Sequence, residues 1–115
     1  MTAKDLKFNH FFIAKKKRFK HILTNLVNKE VQEKVLLKPI KYCLIHNGKY
    51  IRPMIVYAIG KALKINTSNL DKIAVAIEII HSYSLIHDDL PCMDNDDYRR
   101  GKLSCHKKFG ESTAI

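Results

Sequence analysis

The fourteen residues from Asp88 to Gly101 read Asp-Asp-Leu-Pro-Cys-Met-Asp-Asn-Asp-Asp-Tyr-Arg-Arg-Gly. Asp88, Asp89, Asp94, Asp96 and Asp97 make up five of the chain's 11 acidic residues, in a protein of formal net charge +10. Carboxylates crowded this closely repel one another unless a cation sits among them. An all-oxygen donor set with no His or Cys in register suits a hard ion such as Mg²⁺. Mg²⁺ keeps several waters and shares its shell with substrate phosphates. Arg99 and Arg100 follow at once, and the planar guanidinium fork matches phosphate oxygens. Together they make one device, a site for a metal-bound polyphosphate. Asp88 and Asp94 are the first-choice ligands. Asp89, Asp96 and Asp97 ligate directly, hold metal-bound water, or are simply solvated.

A second cluster, Gly48-Lys49-Tyr50-Ile51-Arg52-Pro53, brings a lysine and an arginine to the start of a helix, a good place for an anion. Gly48 allows close backbone approach. With the aspartates it implies two anionic subsites, one bridged by metal and one purely cationic. His81, Ser84 and Asp88 share one helical face, with Tyr83 adjacent. The carbonyls at that helix's C-terminus favour a cation. A break at Pro91 lets Asp94 fold back to the same ion.

The elements that must position these residues read as helices throughout, with no alternating strand, so the fold class is all-α. Phe19, Ile22, Leu23, Leu26 and Val27 mark a first amphipathic helix beginning near Leu6. Val31, Val35 and Leu36 continue a second, which Pro39 interrupts or kinks and Ile40, Cys43 and Leu44 resume. Asn47-Gly48 reads as a turn. Pro53 suits the first turn of the next helix, which presents Met54, Ile55, Ala58, Ala62 and Leu63. Ser68 or Asn69 caps another, whose Leu70, Ile73, Ala74, Ile77, Ile80 and Leu85 form a stripe for burial. That helix runs into Asp88 and stops near Pro91. Gly101 to Gly110 looks irregular, and Glu111 to Ile115 opens a further helix.

At 115 residues the chain is one small domain at most. The longest apolar run, Ile73 to Ile80, is far short of a bilayer span and contains Glu78. The N-terminus does not read as a signal peptide. Cys43, Cys92 and Cys105 are odd in number and form no metal-ligand pair, which suits reduced thiols in a cytoplasmic protein. The 17 Lys against 4 Arg, with 14 Ile and 7 Asn, follow A/T-rich codons, so the basic balance is a weak argument for nucleic acid. No aromatic interleaving or known nucleic-acid module supports that partner. The Lys15 to Arg18 run reads as a solvated face. Arg52, Arg99 and Arg100, by contrast, all stand beside the candidate subsites.

The stretch from His81 through Arg100-Gly101, continuing through Cys105-His106-Lys107-Lys108-Phe109-Gly110-Glu111, resembles the first aspartate-rich motif of the trans-prenyl diphosphate synthases, and most nearly that of the bacterial farnesyl diphosphate synthases. Gly48 to Pro53 resembles that family's homoallylic motif, Gly-Gly-Lys-Arg-x-Arg-Pro. The resemblance covers about Tyr42 to Ile115. It implies the N-terminal part of an isoprenoid synthase helical bundle. It implies that Asp88, Asp89 and Asp94 bind Mg²⁺ on an allylic diphosphate, dimethylallyl or geranyl, which Arg99 also contacts. Lys49, Arg52, His81 and Arg100 would hold isopentenyl diphosphate. The implied reaction is ionisation of the allylic diphosphate, attack by the isopentenyl double bond and proton loss. Tyr83 and Ser84 would set chain length, and an aromatic at Tyr83 with four residues between Asp89 and Asp94 goes with a fifteen-carbon product, farnesyl diphosphate. Two departures stand out: Asn47 replaces the motif's first glycine, and Tyr50 replaces the arginine after Lys49.

No second aspartate-rich motif is present, and the chain stops as a helical pattern begins. It therefore reads as a single, truncated polyprenyl synthetase domain over residues 1–115. The expected partner is a homodimer mate or a complementing C-terminal chain. The rival expectation is a non-catalytic remnant of such an enzyme. Half a bundle leaves apolar stripes uncovered, so the isolated chain is expected to be marginal or to self-associate.

Overall fold

A capping box opens the first helix. Thr2 Oγ1 accepts from the Asp5 amide at 3.2 Å, and Asp5 Oδ2 accepts from the Thr2 amide at 2.9 Å. Helix α1 therefore runs over Ala3–Glu30 rather than from Leu6. It buries Phe19, Leu23 and Val27, residues four apart on one face. The computed structural model describes residues 1–46 and 48–115; the turn and motif departure read at Asn47 lie outside them.

Helix α2 spans Lys34–Leu44 and contains Pro39 without interruption. Pro39 removes one intrahelical bond but is itself buried. Val31 is the C-cap of α1 rather than part of α2, and Val35 and Leu36 are exposed. The inward face is instead Leu37, Ile40 and Leu44. Helix α3 spans Ile51–Ala62 and α4 spans Thr67–Asp89. They form the most extensive helix pair, brought close by Gly60, where a Cβ would collide with the buried side chain of Leu70. Asn66, not Ser68 or Asn69, caps α4, its Oδ1 accepting from the Ser68 amide at 2.9 Å.

The buried face of α4 differs from the expected stripe. Leu70 and Ala74 are buried as expected, but Ile73, Ile77 and Ile80 are exposed. Their places inside are taken by Asp71, Val75, Glu78, Ser82 and Asp89. The reason is that α4 carries aliphatic residues on more than one side, and α1, α2 and α3 cover only the side whose polar groups find partners. Arg18 is the partner of Asp71, donating from Nε and Nη2 at 3.0 and 2.7 Å, while Tyr57 Oη donates to the same carboxylate at 2.6 Å. So Arg18 leaves the solvated run to which its sequence neighbours assign it.

The all-helical expectation needs one amendment. Strands β1 (Tyr98–Arg99) and β2 (Lys102–Leu103) pair antiparallel. Arg100 (φ 54) and Gly101 (φ 77) lie between them, the two left-handed residues of a tight hairpin turn. Arg-Gly is an uncommon way to write this turn, and the strands are too short for alternation to register. The remaining helices are α5 (Cys105–Phe109) and α6 (Glu111–Ala114); the former occupies the segment expected to be irregular.

The whole is a slab of 47 × 32 × 18 Å, not much thicker than one helix. Ile55 and Ile59 of α3, Leu63 at its C-cap, and Ile73, Ile77 and Ile80 of α4 are all exposed. This many uncovered aliphatic side chains on two packed helices drive association. In sedimentation the isolated chain is expected to run larger than a 13.3 kDa monomer and to bind a hydrophobic dye. A compact, dye-silent monomer would contradict this. Among the described residues no helix is long and apolar enough to cross a membrane.

Candidate metal and diphosphate site

Helix α4 ends at Asp89, and Pro91 forbids its continuation. The chain then wraps back on the helix end. The amides of Asp94 and Asp96 donate to the carbonyls of Asp88 and Asp89 at 2.9 and 3.1 Å, and that of Asn95 donates to the Leu90 carbonyl at 3.0 Å. Asn95 takes a left-handed conformation, φ 54, which Asn tolerates better than most residues. Ser104 ties down the far side, its hydroxyl donating to the Asp96 carbonyl at 2.8 Å. The expected return of Asp94 to Asp88 is present in the backbone.

The five aspartates do not behave alike. Asp88, Asp94, Asp96 and Asp97 are exposed, whereas Asp89 is 1% exposed. Both Asp89 oxygens accept from Arg99, Nε at 2.7 Å and Nη2 at 2.8 Å. This bidentate clamp holds Arg99 in its charged form, above its ordinary range. Asp97 faces Lys107 at 3.2 Å. The family resemblance gives Asp89 to a metal and Arg99 to a diphosphate; here each holds the other. No three acidic, His or Cys side chains gather as a metal cage among the described residues. The donor chemistry nonetheless fits Mg²⁺. Asp88 and Asp94 offer two exposed hard-oxygen groups on one backbone turn, and this ion takes the rest of its shell from water and phosphate.

The cationic subsite assembles from three separate segments. Arg52, on the first turn of α3, donates from Nη1 to His81 Nε2 at 3.2 Å. An arginine only donates, so Nε2 accepts and the ring is neutral. Burial lowers the His81 pKa, and Arg52, Arg100 and Arg99 lower it further. Arg100 comes from the hairpin turn. The structure thus brings together Arg52, His81 and Arg100, while Lys49 is exposed just before α3.

Because the His81 pKa falls below its ordinary 6.5, the unfolded chain takes up that proton first as pH drops. Its contribution to stability is therefore complete above about 6.5 and is lost as pH falls through the folded value. The histidine proton resonances should place that folded value below 6.5. Between about pH 7.5 and about pH 5.5, His81→Gln should lose less stability than the parent. Equal losses would mean that His81 is not held neutral.

Two contributors were not assigned from the sequence. Glu78, 3% exposed, lies on α4 three residues before His81. Burial raises its pKa, while Arg100 and Arg52 pull it back. A lone acid inside the Ile73 to Ile80 run was the available signal. Tyr50 is the other. Where the homoallylic motif has a cation, Tyr50 is 2% exposed and in the left-handed region at φ 54. Its hydroxyl donates to the Leu44 and Ile45 carbonyls at 2.9 and 3.0 Å, and its ring packs edge-on against Phe19 at 5.0 Å. It serves as a cap on α2. Gly48 fits beneath it, since a Cβ would collide with the ring.

Tyr83 is exposed on α4 and packs on His87, ring centroids 4.4 Å apart. Ser84, half-buried, donates its hydroxyl to the His81 carbonyl at 2.7 Å. An apolar groove between α1, α2 and α4 passes Tyr83, Ile79 and Ile86.

The architecture is an all-α framework whose helix α4 ends in paired aspartates beside an arginine-bearing hairpin. Residues 33–115 match the polyprenyl synthetase family model, and the chain belongs to that family. It is 49% identical over 109 residues to farnesyl diphosphate synthase of Buchnera aphidicola (subspecies Acyrthosiphon pisum), covering 94% of this chain and 39% of that protein. To farnesyl diphosphate synthase of Escherichia coli it is 50% identical over 84 residues, 73% of this chain and 28% of that one. The crystal structure of a geranyltransferase from Legionella pneumophila superposes with a TM-score of 0.89 at 44% identity, over 93% of this chain and 38% of that one. The chain thus spans under two fifths of the length of these relatives.

Proposed function

We propose that this chain supplies one wall of a Mg²⁺-dependent prenyl-transfer site for isoprenoid biosynthesis. The observation that carries the reading is the meeting of Arg52, His81 and Arg100 next to the helix end that exposes Asp88 and Asp94. Glu78 balances one of the two arginine charges, and the positive charge left over favours an anionic ligand. In this reading Asp88 and Asp94 hold Mg²⁺ on an allylic diphosphate. Asp89 aims Arg99, whose remaining N–H donors face the same diphosphate. Asp89 becomes a third metal ligand only by exchanging its Arg99 contacts. Arg52, His81, Arg100 and the exposed Lys49 take isopentenyl diphosphate, and Glu78 backs the two arginines. Bound Mg²⁺ supplies charge neutralisation for the departing diphosphate; the chain's own residues orient both substrates.

The exposed face of α3 and α4 would form one side of the hydrocarbon cavity, with the opposite wall supplied by a complementing C-terminal chain or a partner copy. Tyr83, one turn before Asp88, then limits the growing chain to fifteen carbons while Ser84 leaves room beside it. Relatives named farnesyl diphosphate synthase support that length. The three free cysteines suit the reducing cytoplasm. A second reading, a non-catalytic remnant, draws on the mutual pairing of Asp89 and Arg99.

The test is a chimaera fused at Ile115 to the C-terminal portion of a bacterial farnesyl diphosphate synthase, given isopentenyl and geranyl diphosphates with Mg²⁺. The chimaera should make farnesyl diphosphate, Asp88→Ala should lose roughly 100-fold or more in rate, and Tyr83→Ala should lengthen the product. A folded but inactive chimaera would favour the remnant. An active one with unchanged products in Tyr83→Ala would remove Tyr83 as the floor.

A further inference from the structure

Cys43 and Cys105 have no role in the chemistry above, yet both line the cavity that borders the Asp89–Arg99 pair. Cys43 is half-buried on α2, and Cys105, 6% exposed, opens α5. Their neighbours fix the register of the two segments. Tyr42 Oη donates to the Leu103 carbonyl at 2.7 Å, and the Tyr42 ring meets Phe109 edge-on at 5.3 Å. In that register Cys43 and Cys105 both border one cavity with Asp89, Arg99 and Arg100, where α2 packs on α5. Cys92 stays apart, exposed in the loop after Pro91.

We propose that Cys43 and Cys105 form a dithiol oxidation site, closed by hydrogen peroxide into an intramolecular disulfide that ties α2 to α5 beside the Asp89–Arg99 pair. One sulphur, as thiolate, attacks a peroxide oxygen. The O–O bond breaks, and the departing hydroxide leaves as water with the proton that thiol gave up. The second sulphur, as thiolate, attacks the resulting sulfenic sulphur. The S–S bond forms, the S–O bond breaks, and a second water leaves with the second thiol proton. Two thiols lose two electrons and two protons, and one peroxide becomes two waters. The shared cavity wall keeps the resolving sulphur close while the first is oxidised, so closure outruns oxidation to the sulfinic acid.

The full chain, with Cys92→Ala, Cys43→Ala and Cys105→Ala, is oxidised by peroxide under native conditions, alkylated, and read by intact mass and peptide mapping. The parent should fall from three alkylatable thiols to one, lose two hydrogens as a monomer, and yield a linked Cys43–Cys105 peptide pair that dithiothreitol releases. Cys92→Ala should fall to none, and neither other variant should form an internal bridge. Peptide mapping of the parent decides the matter even where a variant misfolds. A bridge involving Cys92, a bridge only between chains, or sulfinic acid at Cys43 or Cys105 in place of the disulfide overturns the proposal.

Discussion

Inorganic diphosphate is expected to bind this chain about 5- to 150-fold more tightly with Mg²⁺ present than without it, the usual span of coupling between two ligands. The coupling has a local cause. Asp88 and Asp94 are exposed and share one backbone turn. Without a metal they repel a diphosphate; with one, repulsion becomes a bridged contact. Asp88→Ala should abolish the gain while leaving binding without metal unchanged or slightly stronger, since a negative charge is gone. Arg99→Lys should weaken Mg²⁺-diphosphate binding more than Lys102→Ala. Lysine cannot reproduce the two-point clamp on Asp89 at 2.7 and 2.8 Å, so the remaining donors lose their aim. Lys102 instead sits over the Tyr42 ring, 5.6 Å from its centroid. Calorimetry with and without metal reads all of this. Equal diphosphate affinity in both conditions, with Asp88→Ala indistinguishable from the parent, would remove the site assignment.

Asp71→Ala is expected to cost about 3 kcal/mol of folding stability, by chemical denaturation. Asp71 is 7% exposed and Tyr57 fully buried. Removing the carboxylate leaves the Tyr57 hydroxyl without its acceptor in the core, the larger part of the loss. The Arg18 contact adds less, because that side chain is 44% exposed and solvent screens it. Asp71→Asn, which keeps an acceptor for Tyr57, should recover much of the loss, and Arg18→Ala should cost only about 1 kcal/mol. Burial raises the Asp71 pKa, but hydrogen bonds from Arg18 and Tyr57 outweigh it and hold the pKa below its ordinary 3.8. The carboxylate therefore stabilises the fold above that value, and the contribution disappears as pH falls through the folded pKa. Should Arg18→Ala cost as much as Asp71→Ala, the ion pair rather than the buried hydroxyl dominates.

What the sequence determined by itself was local and chemical. Pro91 placed the end of α4, and the residues from Asp88 to Gly101 named the family; the Thr2–Asp5 cap was a local signal as well, passed over when α1 was begun near Leu6. These depend on residues a few positions apart, where covalent geometry limits the choices. The phase of α4 was not legible in the same way. Periodicity reveals that a helix has faces, but Ile73, Ile77 and Ile80 make as good a stripe as Leu70, Ala74 and Val75, and only packing against α1, α2 and α3 decided which was covered. The same decision buried Asp89 and left Asp88 in solvent, one residue and about 100° of helix away. Arg18 reads as part of a basic run until Asp71 and Tyr57, far along the chain, close around it. Tyr50 reads as a lost cation until its ring is seen filling the core and its hydroxyl capping α2. Each of these depended on which long-range neighbour removed a group from water, and that is settled by the tertiary structure, because desolvation is a property of the assembled surface rather than of the residue.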